Sequence, residues 1–250
     1  MKYIKEGRGF GVGISYKPWV TVHDFPSEGV VTRIKGSKSG RVHHFLSENE
    51  LHYFYLLEGD DEVVDIREQF PLLDIELAMS CAVKAGVKYP TDRDSKFPYI
   101  LTSDFMITTK NASKVRTVKM VKDLSNARVI EKFEIERRYW EAKGVDWKIV
   151  TELDIDFPKA RAIGWALGAA DFKIANDMQM QMIVDAILKR LEQHFTIKEF
   201  MMISKDYCET SIGALILKRL VLDKTLLIDC NSLVTSETKG VKNDKGAFNK

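Results

Sequence analysis

The sequence predicts an α/β protein in which helices pack on a mixed sheet, followed by a smaller helical domain that ends in a hairpin. Short apolar strand patterns alternate with helical periodicity before Pro158, and beyond it the strand signal disappears until about residue 224. We therefore expect a first domain over residues 1–157, a second over residues 158–236 and a polar tail over residues 237–250.

Local signals predict the elements of the first domain in order. Ser47, with Glu50 three residues later, forms a capping box, so a helix should begin there and run to residue 58. Residues 126–143 have a strong helical period, with Ser125 as the N-cap and Gly144 as the end. The other predicted elements are a strand in "EVVDIREQFPLL" that Pro71 ends, a weak helix at 74–86, a hairpin of 99–109 with 115–122, and a strand in "VDWKIVT".

The second domain contains a helix in "QMIVDAILKRLEQHF" and a shorter one in "SIGALILKRLVL". The segment "KTLLIDCNSLVTSETKG" then alternates like a small hairpin. Helices followed by a hairpin are the order of a winged-helix module, and we expect that module here.

Charge is distributed unevenly along the first hundred residues. Residues 1–45 hold eight Lys and Arg against three Asp and Glu, whereas residues 46–100 hold five against twelve. The glycine-rich basic segment 1–45 is expected to be a flexible or partner-ordered arm. A polyanion-binding arm beside a cation-binding centre has this pattern, and ordinary variation of surface charge gives it equally well. The net charge of +2 disfavours a tight autonomous DNA binder.

Several protein classes are disfavoured by composition. The three cysteines, Cys81, Cys208 and Cys230, are far apart, which indicates neither a disulfide framework nor a cysteine zinc site. The first ten residues have no apolar core, and no run of about 18 apolar residues occurs, so we expect neither a signal peptide nor a membrane span. The expectation is a reduced, cytoplasmic protein.

Ionisable residues within the predicted elements indicate a polar site. A buried charge is costly unless it is paired or binds a metal. Asp104 lies in the first strand of the predicted hairpin and Lys122 ends the second, so the two could meet near one edge of the sheet. Glu50 and Glu136 lie on the apolar stripes of their helices. Three carboxylates and one lysine could therefore converge.

Each of these residues also has a structural interpretation. Glu50 can cap its own helix, Glu136 can lie at the edge of its stripe, Asp104 can cap a strand end, and Lys122 can be solvated. Together they favour phosphodiester cleavage, in which carboxylates hold Mg²⁺ and a lysine steadies or deprotonates the attacking water.

Sequence motifs resemble two known groups. Asp104, followed by the strand that ends at Lys122, resembles the PD-(D/E)xK core of restriction-endonuclease-like nucleases. The segments "GRVHHFLSENEL", "VVDIREQFPLL", "TSDFMI" and "IEKFEIERRYWEAKGVDWKIVT" resemble, in order, the TnsA family, the endonuclease subunits of heteromeric transposases of the Tn-seven kind. The match runs over roughly residues 5–155, and the remainder fits the family's winged-helix domain by layout.

The resemblance implies a Mg²⁺-dependent DNA endonuclease that cuts the 5′ strands at transposon ends. Two metal ions are expected, with Mn²⁺ as a substitute. The implied partners are transposon-end DNA, a DDE-type transposase subunit and a regulatory AAA+ ATPase subunit, with no membrane involved. Two alternatives stay open: a catalytically weakened DNA-binding adaptor of the same complex, and a stand-alone restriction-like endonuclease.

The resemblance also implies roles for individual residues. Glu50 and Asp104 match the metal-binding acids, Lys122 matches the catalytic lysine, and Glu136 aligns with a further acid. Met120 stands where the family carries Asp, Glu or Gln, and a thioether is a poor Mg²⁺ ligand. A backbone carbonyl or Glu136 then supplies the missing oxygen, or activity is weakened. The residues expected to contact DNA are Arg67, Gln69 and Lys119.

Overall fold

The computed structural model describes residues 2–24, 32–174, 177–231 and 233–243. Parts of the predicted arm (25–31) and of the predicted tail (244–250) therefore lie outside the described residues. The chain divides into two compact units, residues 1–155 and residues 156–250. No helix in the described ranges is both long and apolar enough to cross a membrane.

The first unit is a mixed α/β structure, as predicted. Within the described part of the chain, its main sheet has the order β3-β4-β5-β6. The first three of these strands are antiparallel, and β6 runs parallel to β5 after the helix α4. The elements are α1 (Lys2–Lys5), β1 (Thr32–Lys35), β2 (Val42–Phe45), α2 (Glu48–Glu58), β3 (Val63–Pro71), α3 (Ile75–Ala85), β4 (Thr102–Thr109), β5 (Ser113–Val118), α4 (Ala127–Ala142) and β6 (Asp146–Val150).

Capping residues set the helix ends. The Ser47 hydroxyl accepts a hydrogen bond from the Glu50 N–H, so α2 begins where the sequence predicts. The α3 helix ends at Gly86, whose φ of 68° is the left-handed conformation that glycine adopts easily. For α4 the cap is Asn126 rather than the predicted Ser125, because the Asn126 side chain accepts the Arg128 N–H at 2.9 Å.

An apolar core packs α3 and α4 together with the sheet. Met106 and Val115 contribute to it from β4 and β5, and Ile135, Tyr139 and Trp140 contribute from α4. Burial of such side chains is worth about 1.5–3 kcal/mol each. The core therefore holds the sheet in place as the frame for residues at the ends of its strands.

Part of segment 1–45, which was expected to be a flexible or partner-ordered arm, packs against β3 in the described residues. Tyr16 and Trp19 are buried, and the Trp19 N–H donates to the carbonyl of Gln69 at 3.2 Å. The Tyr16 hydroxyl donates to the carbonyl of Glu68 at 3.0 Å. These aromatic rings bury enough apolar surface to order a glycine-rich segment along β3, which composition alone did not reveal.

A buried charge cluster joins β2 to β3. The carboxylate of Glu68 accepts hydrogen bonds from the Arg41 guanidinium, from the His44 N–H at 3.1 Å and from His43, whose Nδ1 lies 2.8 Å away. Arg41 also donates to the carbonyl of Ile66 at 2.9 Å. Burial alone would raise the pKa of Glu68, but hydrogen bonds and charge from Arg41 and His43 lower it to about 2.

The second strand of the predicted hairpin is shorter than the predicted 115–122. β5 ends at Val118, and the next N–H, that of Lys119, donates to the carbonyl of Val150 in β6 at 2.9 Å. Residues Val121–Ser125 then form a 3-10 helix with Met120 as its N-cap. The prediction that Met120 and Lys122 lie on a strand with Val118 is therefore wrong.

The second unit contains helices around one apolar core and a small sheet with the order β7-β9-β8 in the described part. β7 was not predicted, and β9 lies inside the segment 237–250 that was expected to be a mobile tail. The winged-helix assignment stays a prediction. The elements are α5 (Phe157–Ala166), α6 (Met178–Arg190), β7 (His194–Thr196), α7 (Ile197–Ser204), α8 (Thr210–Leu222), β8 (Leu226–Ile228) and β9 (Lys239–Lys242).

We expect Glu68→Gln to lower the free energy of unfolding of the first unit by about 3–5 kcal/mol, because Arg41 would remain buried without its counter-charge. The pKa of Glu68 is depressed, so its contribution is present above about pH 4.5 and is lost as pH falls towards 2. Urea denaturation at several pH values measures both effects.

The matched control is Glu62→Gln, since Glu62 forms an exposed ion pair with Lys110 at 3.2 Å. That substitution should change stability by less than about 1 kcal/mol. If both substitutions lowered the free energy of unfolding equally, the buried cluster would stabilise the first unit no more than the exposed ion pair does.

Candidate active site

Asp104 lies where two strands of the main sheet separate. The pairing of β4 with β5 extends to Phe105 opposite Arg116, one residue short of Asp104. Beyond this point the Asp104 carboxylate accepts the N–H of Val118 at 2.7 Å, in place of a backbone carbonyl. Its other oxygen accepts a hydrogen bond from the side-chain amide of Gln69 at 3.2 Å. Asp104 is therefore held at a fork in the sheet.

Glu50 reaches the same place from the first turn of α2. Its side chain is buried, with only 8% of its surface exposed. One carboxylate oxygen accepts the N–H of Leu46 at 3.1 Å, and the other accepts the hydroxyl of Ser47 at 2.8 Å. Glu50 thus bonds the residues at the start of its helix and also lies within electrostatic reach of Asp104. The two interpretations made from the sequence are compatible.

The two carboxyls disfavour each other's ionisation. Burial raises the pKa of Glu50, and the charge of Asp104 raises it further. Burial also raises the pKa of Asp104, against the hydrogen bonds from Val118 and Gln69 that favour its charged form. Two close carboxylates of this kind are stabilised when a cation lies between them.

The lysine next to the acids is Lys119, not Lys122. The ammonium of Lys119 lowers the pKa of both Glu50 and Asp104, so its charge acts on each carboxylate. Its side chain is 38% exposed and lies 3.7 Å from Asp123. Lys122 is exposed in the 3-10 helix that follows the strand.

With Lys119 next to the acids, the residue two positions before the lysine is Thr117. Met120, which was expected at that position, lies beyond the end of β5 and is 39% exposed. The Thr117 hydroxyl donates to the carboxylate of Glu136 at 2.7 Å. Thr117 is not an Asp, Glu or Gln either, so the departure from the family's pattern moves from Met120 to Thr117 and remains.

Glu136 is engaged in a different set of contacts. The same carboxylate oxygen that accepts Thr117 also accepts the Ser103 hydroxyl at 2.8 Å and the indole N–H of Trp147 at 3.3 Å. Burial raises the pKa of Glu136 to about 7, and the charge of Asp104 contributes to the rise. Glu136 therefore bonds α4 to the sheet next to the acid pair, and its catalytic role stays a prediction.

Gln69 is a positioning residue that the sequence did not reveal. It was expected to face DNA, yet its side chain is 4% exposed and lies between Thr102, whose hydroxyl it accepts at 3.0 Å, and Asp104. Its φ of 48° is unusual for a residue with a side chain, and such strain often accompanies functional positions. The register that pairs Phe70 with Ser103 brings Gln69 opposite Asp104.

Arg67 is also directed inward. Its guanidinium donates to the Thr108 hydroxyl at 3.0 Å, lies 3.4 Å from Asp65 and approaches the ring of Phe70. Its side chain is only 14% exposed. These contacts engage Arg67 within the first unit, and its contact with DNA stays a prediction.

The residues present fit a hard divalent cation. Glu50 and Asp104 supply carboxylate oxygens, the ligands that Mg²⁺ prefers, and their mutual repulsion is the electrostatic condition that a cation relieves. The predicted meeting of three acids is not seen, since no group of three or more His, Cys, Asp or Glu side chains in the described ranges could hold a metal. The pair leaves further ligand positions for water or a phosphate oxygen.

Comparison with known proteins identifies a similar nuclease family and a similar transposition protein. Residues 60–152, which include β3 to β6 and Asp104, match the model of the TnsA-like endonuclease N-terminal domain. The transposon Tn7 transposition protein TnsA of Escherichia coli is 38% identical over 182 residues, covering 72% of this chain and 66% of that protein. The aligned part is thus just under two thirds of the relative's length. Over these residues the chain is similar to the TnsA-like endonucleases.

Proposed function

We propose that this protein is a metal-dependent DNA endonuclease that acts as a subunit of a heteromeric transposase. The observation that carries the proposal is the meeting of Glu50, Asp104 and Lys119 at the fork between β4 and β5. Similarity to the TnsA-like endonuclease domain supports the reaction class, and the relative's name connects it to transposition. The carboxylate pair supports Mg²⁺ as the cofactor, with Mn²⁺ as a substitute.

The residues of the site have separate tasks in phosphodiester hydrolysis. Glu50 and Asp104 would hold the cation, which when bound polarises the scissile phosphate and acidifies a water molecule. The Lys119 ammonium, partly exposed beside the acids, can donate to a phosphate oxygen and stabilise the negative charge that develops during attack. Gln69 keeps the Asp104 carboxylate in one orientation through its amide.

The finer features of the proposal rest on the family. They are cleavage of the 5′ strands at transposon ends, and the assembly with a DDE-type transposase subunit and a regulatory AAA+ ATPase subunit. The second unit, with its proposed winged-helix module, would contribute contacts to DNA and partners. A catalytically weakened adaptor stays the alternative, because Thr117, two residues before Lys119, carries neither the carboxylate nor the amide that the family has at this position.

The first test compares two lysines three residues apart. We expect Lys119→Ala to lower the rate of 5′-strand nicking by at least about 100-fold, because charge stabilisation of the transition state is lost. Lys122→Ala should stay within about threefold of the unchanged protein. The measurement is nicking of transposon-end DNA in a reaction reconstituted with the transposase partner and Mg²⁺.

Asp104→Asn is the reference for complete loss in the same assay, with folding checked by circular dichroism. If Lys122→Ala were inactive and Lys119→Ala active, the proposed lysine would be wrong. If Asp104→Asn nicked DNA normally, the whole site would be wrong.

The second test uses stability instead of activity. The pKa of Asp104 is raised in the folded state, so its ionisation destabilises the metal-free protein increasingly as pH rises from about 4 through the folded pKa. Asp104→Asn should therefore raise the unfolding temperature at pH 8 in EDTA and leave it nearly unchanged at pH 4. Each raised pKa unit corresponds to about 1.4 kcal/mol.

Added Mg²⁺ should stabilise the unchanged protein at pH 8 and have no such effect on Asp104→Asn, because only the former holds the ion. Glu62→Gln, an exposed carboxylate of the same unit, serves as the control and should respond to Mg²⁺ as the unchanged protein does. A Mg²⁺ effect of equal size in all three proteins would exclude the acid pair as the metal site.

A further inference from the structure

The basic residues of β1 and β2 fall into an inner and an outer group. Residues 32–45 contain four Lys and Arg and no Asp or Glu. Arg41 is buried and donates to the carboxylate of Glu68. The Lys38 ammonium donates to the carbonyls of Asp60 and Val63 at 2.8 and 2.7 Å. The remaining two, Arg33 and Lys35, are exposed. Part of the basic segment therefore builds the fold, and part faces solvent.

The outer residues share one face of the ribbon formed by β1 and β2. Arg33 pairs with His44 across the two strands, and Lys35 pairs with Val42. Directly opposed residues, and residues two apart along a strand, lie on the same face. The opposite face carries the buried side chains His43 and Phe45. A guanidinium, an ammonium and an imidazole thus form a row on the outer face.

The N-terminal segment adds a second imidazole to this row. His23 is exposed, and its ring centroid lies 6.0 Å from that of His44. The pKa of His44 is lowered first by burial and also by the charges of His23, Arg33 and Arg41, while Glu68 opposes the shift. These groups are therefore close enough to act on one another, and they are all cationic or potentially cationic apart from Glu68.

The ribbon is joined directly to the helix that carries Glu50. His44 lies two residues before Leu46, whose N–H bonds the Glu50 carboxylate, a separation of about 7 Å along an extended chain. At the other end, Glu58 accepts the N–H and hydroxyl of Ser37 in the turn between β1 and β2. Because Glu50 and Glu58 belong to the same helix, the ribbon and the acid pair are held in one framework.

From this placement we infer that the outer face of β1 and β2, with Arg33, Lys35 and His44, binds the phosphate backbone of duplex DNA beside the bond that the acid pair cleaves. The inference rests on the proposed function and adds a substrate subsite to it. Two exposed cations on a ribbon that is bonded to the helix of Glu50 would attract a polyanion near the acid pair. Contacts of this kind position the duplex without reading its sequence.

The test measures DNA binding by the full chain in the Asp104→Asn background, so that the DNA is not cut. Fluorescence anisotropy with a transposon-end duplex and an unrelated duplex gives affinities between 50 and 200 mM salt. Arg33→Ala and Lys35→Ala should each weaken binding to both duplexes and reduce the slope of log K against log salt by about 1. The double variant should lose about 2 from the slope.

Two controls separate a phosphate contact from other causes. Lys84→Ala removes one exposed charge from α3, which packs with α4, and should leave the slope unchanged. Arg33→Lys and Lys35→Arg retain the charge and should retain the slope. Since both residues are exposed, their alanine variants should have the unfolding temperature of the parent protein.

The outcomes distinguish this inference from the proposed function. If the unchanged protein nicks transposon ends while the double variant binds DNA like Lys84→Ala, the ribbon inference alone is overturned. If the double variant loses affinity for the purified transposase partner and keeps its affinity for DNA, the face binds protein and the inference is again overturned. If the unchanged protein neither binds nor cuts DNA, both proposals fail.

Discussion

The buried carboxylate of Glu68 is the interaction on which the candidate site depends. It lies in β3 and bonds Arg41, His43 and the backbone of His44, all from β2 or the turn before it. Because β2 leads into α2 after two residues, these bonds fix the first turn of α2 relative to β3. Asp104 is fixed to β3 through the pairing of β4. Glu68 therefore fixes the distance between Glu50 and Asp104, although Glu68 is not one of the two acids of the site.

The buried acids of the first unit are compensated in different ways. Glu68 is paired with a guanidinium, Glu58 is bonded by the turn between β1 and β2, and Glu136 is bonded by hydroxyls and an indole. For Glu50 and Asp104, in contrast, burial raises both pKa values, and the charge of Asp104 raises the pKa of Glu50 further, which is costly in the metal-free fold. Such a cost is tolerated at a site where binding of a cation removes it, and the surrounding structure supplies the stability that the pair lacks.

Short-range signals in the sequence were sufficient to predict α2, β3, α3 and most of α4. These signals do not decide whether Lys119 or Lys122 lies next to the acids. In "VKMVK" both lysines follow a valine, so the local pattern does not say where the strand ends. The end is set by long-range bonds, from the Lys119 N–H to Val150 and from the Val121 N–H to Glu152 at 2.9 Å. The same holds for Gln69, whose role depends on the register of two strands 35 residues apart in sequence.

In the first hundred residues, a basic segment precedes an acidic one. The fold gives this charge pattern a different physical meaning from that of an arm beside an acidic block. Several acids of the block are internal, among them Glu50, Glu58 and Glu68, so their charges are used within the protein and contribute little to its surface. The basic segment is divided too, since Arg41 neutralises Glu68 while Arg33 and Lys35 stay outside. The exposed charges of the region therefore differ from the count in the sequence, because several acids and Arg41 are internal. A modest net charge is then compatible with local attraction of DNA, because the field at short range depends on the exposed charges close to the site.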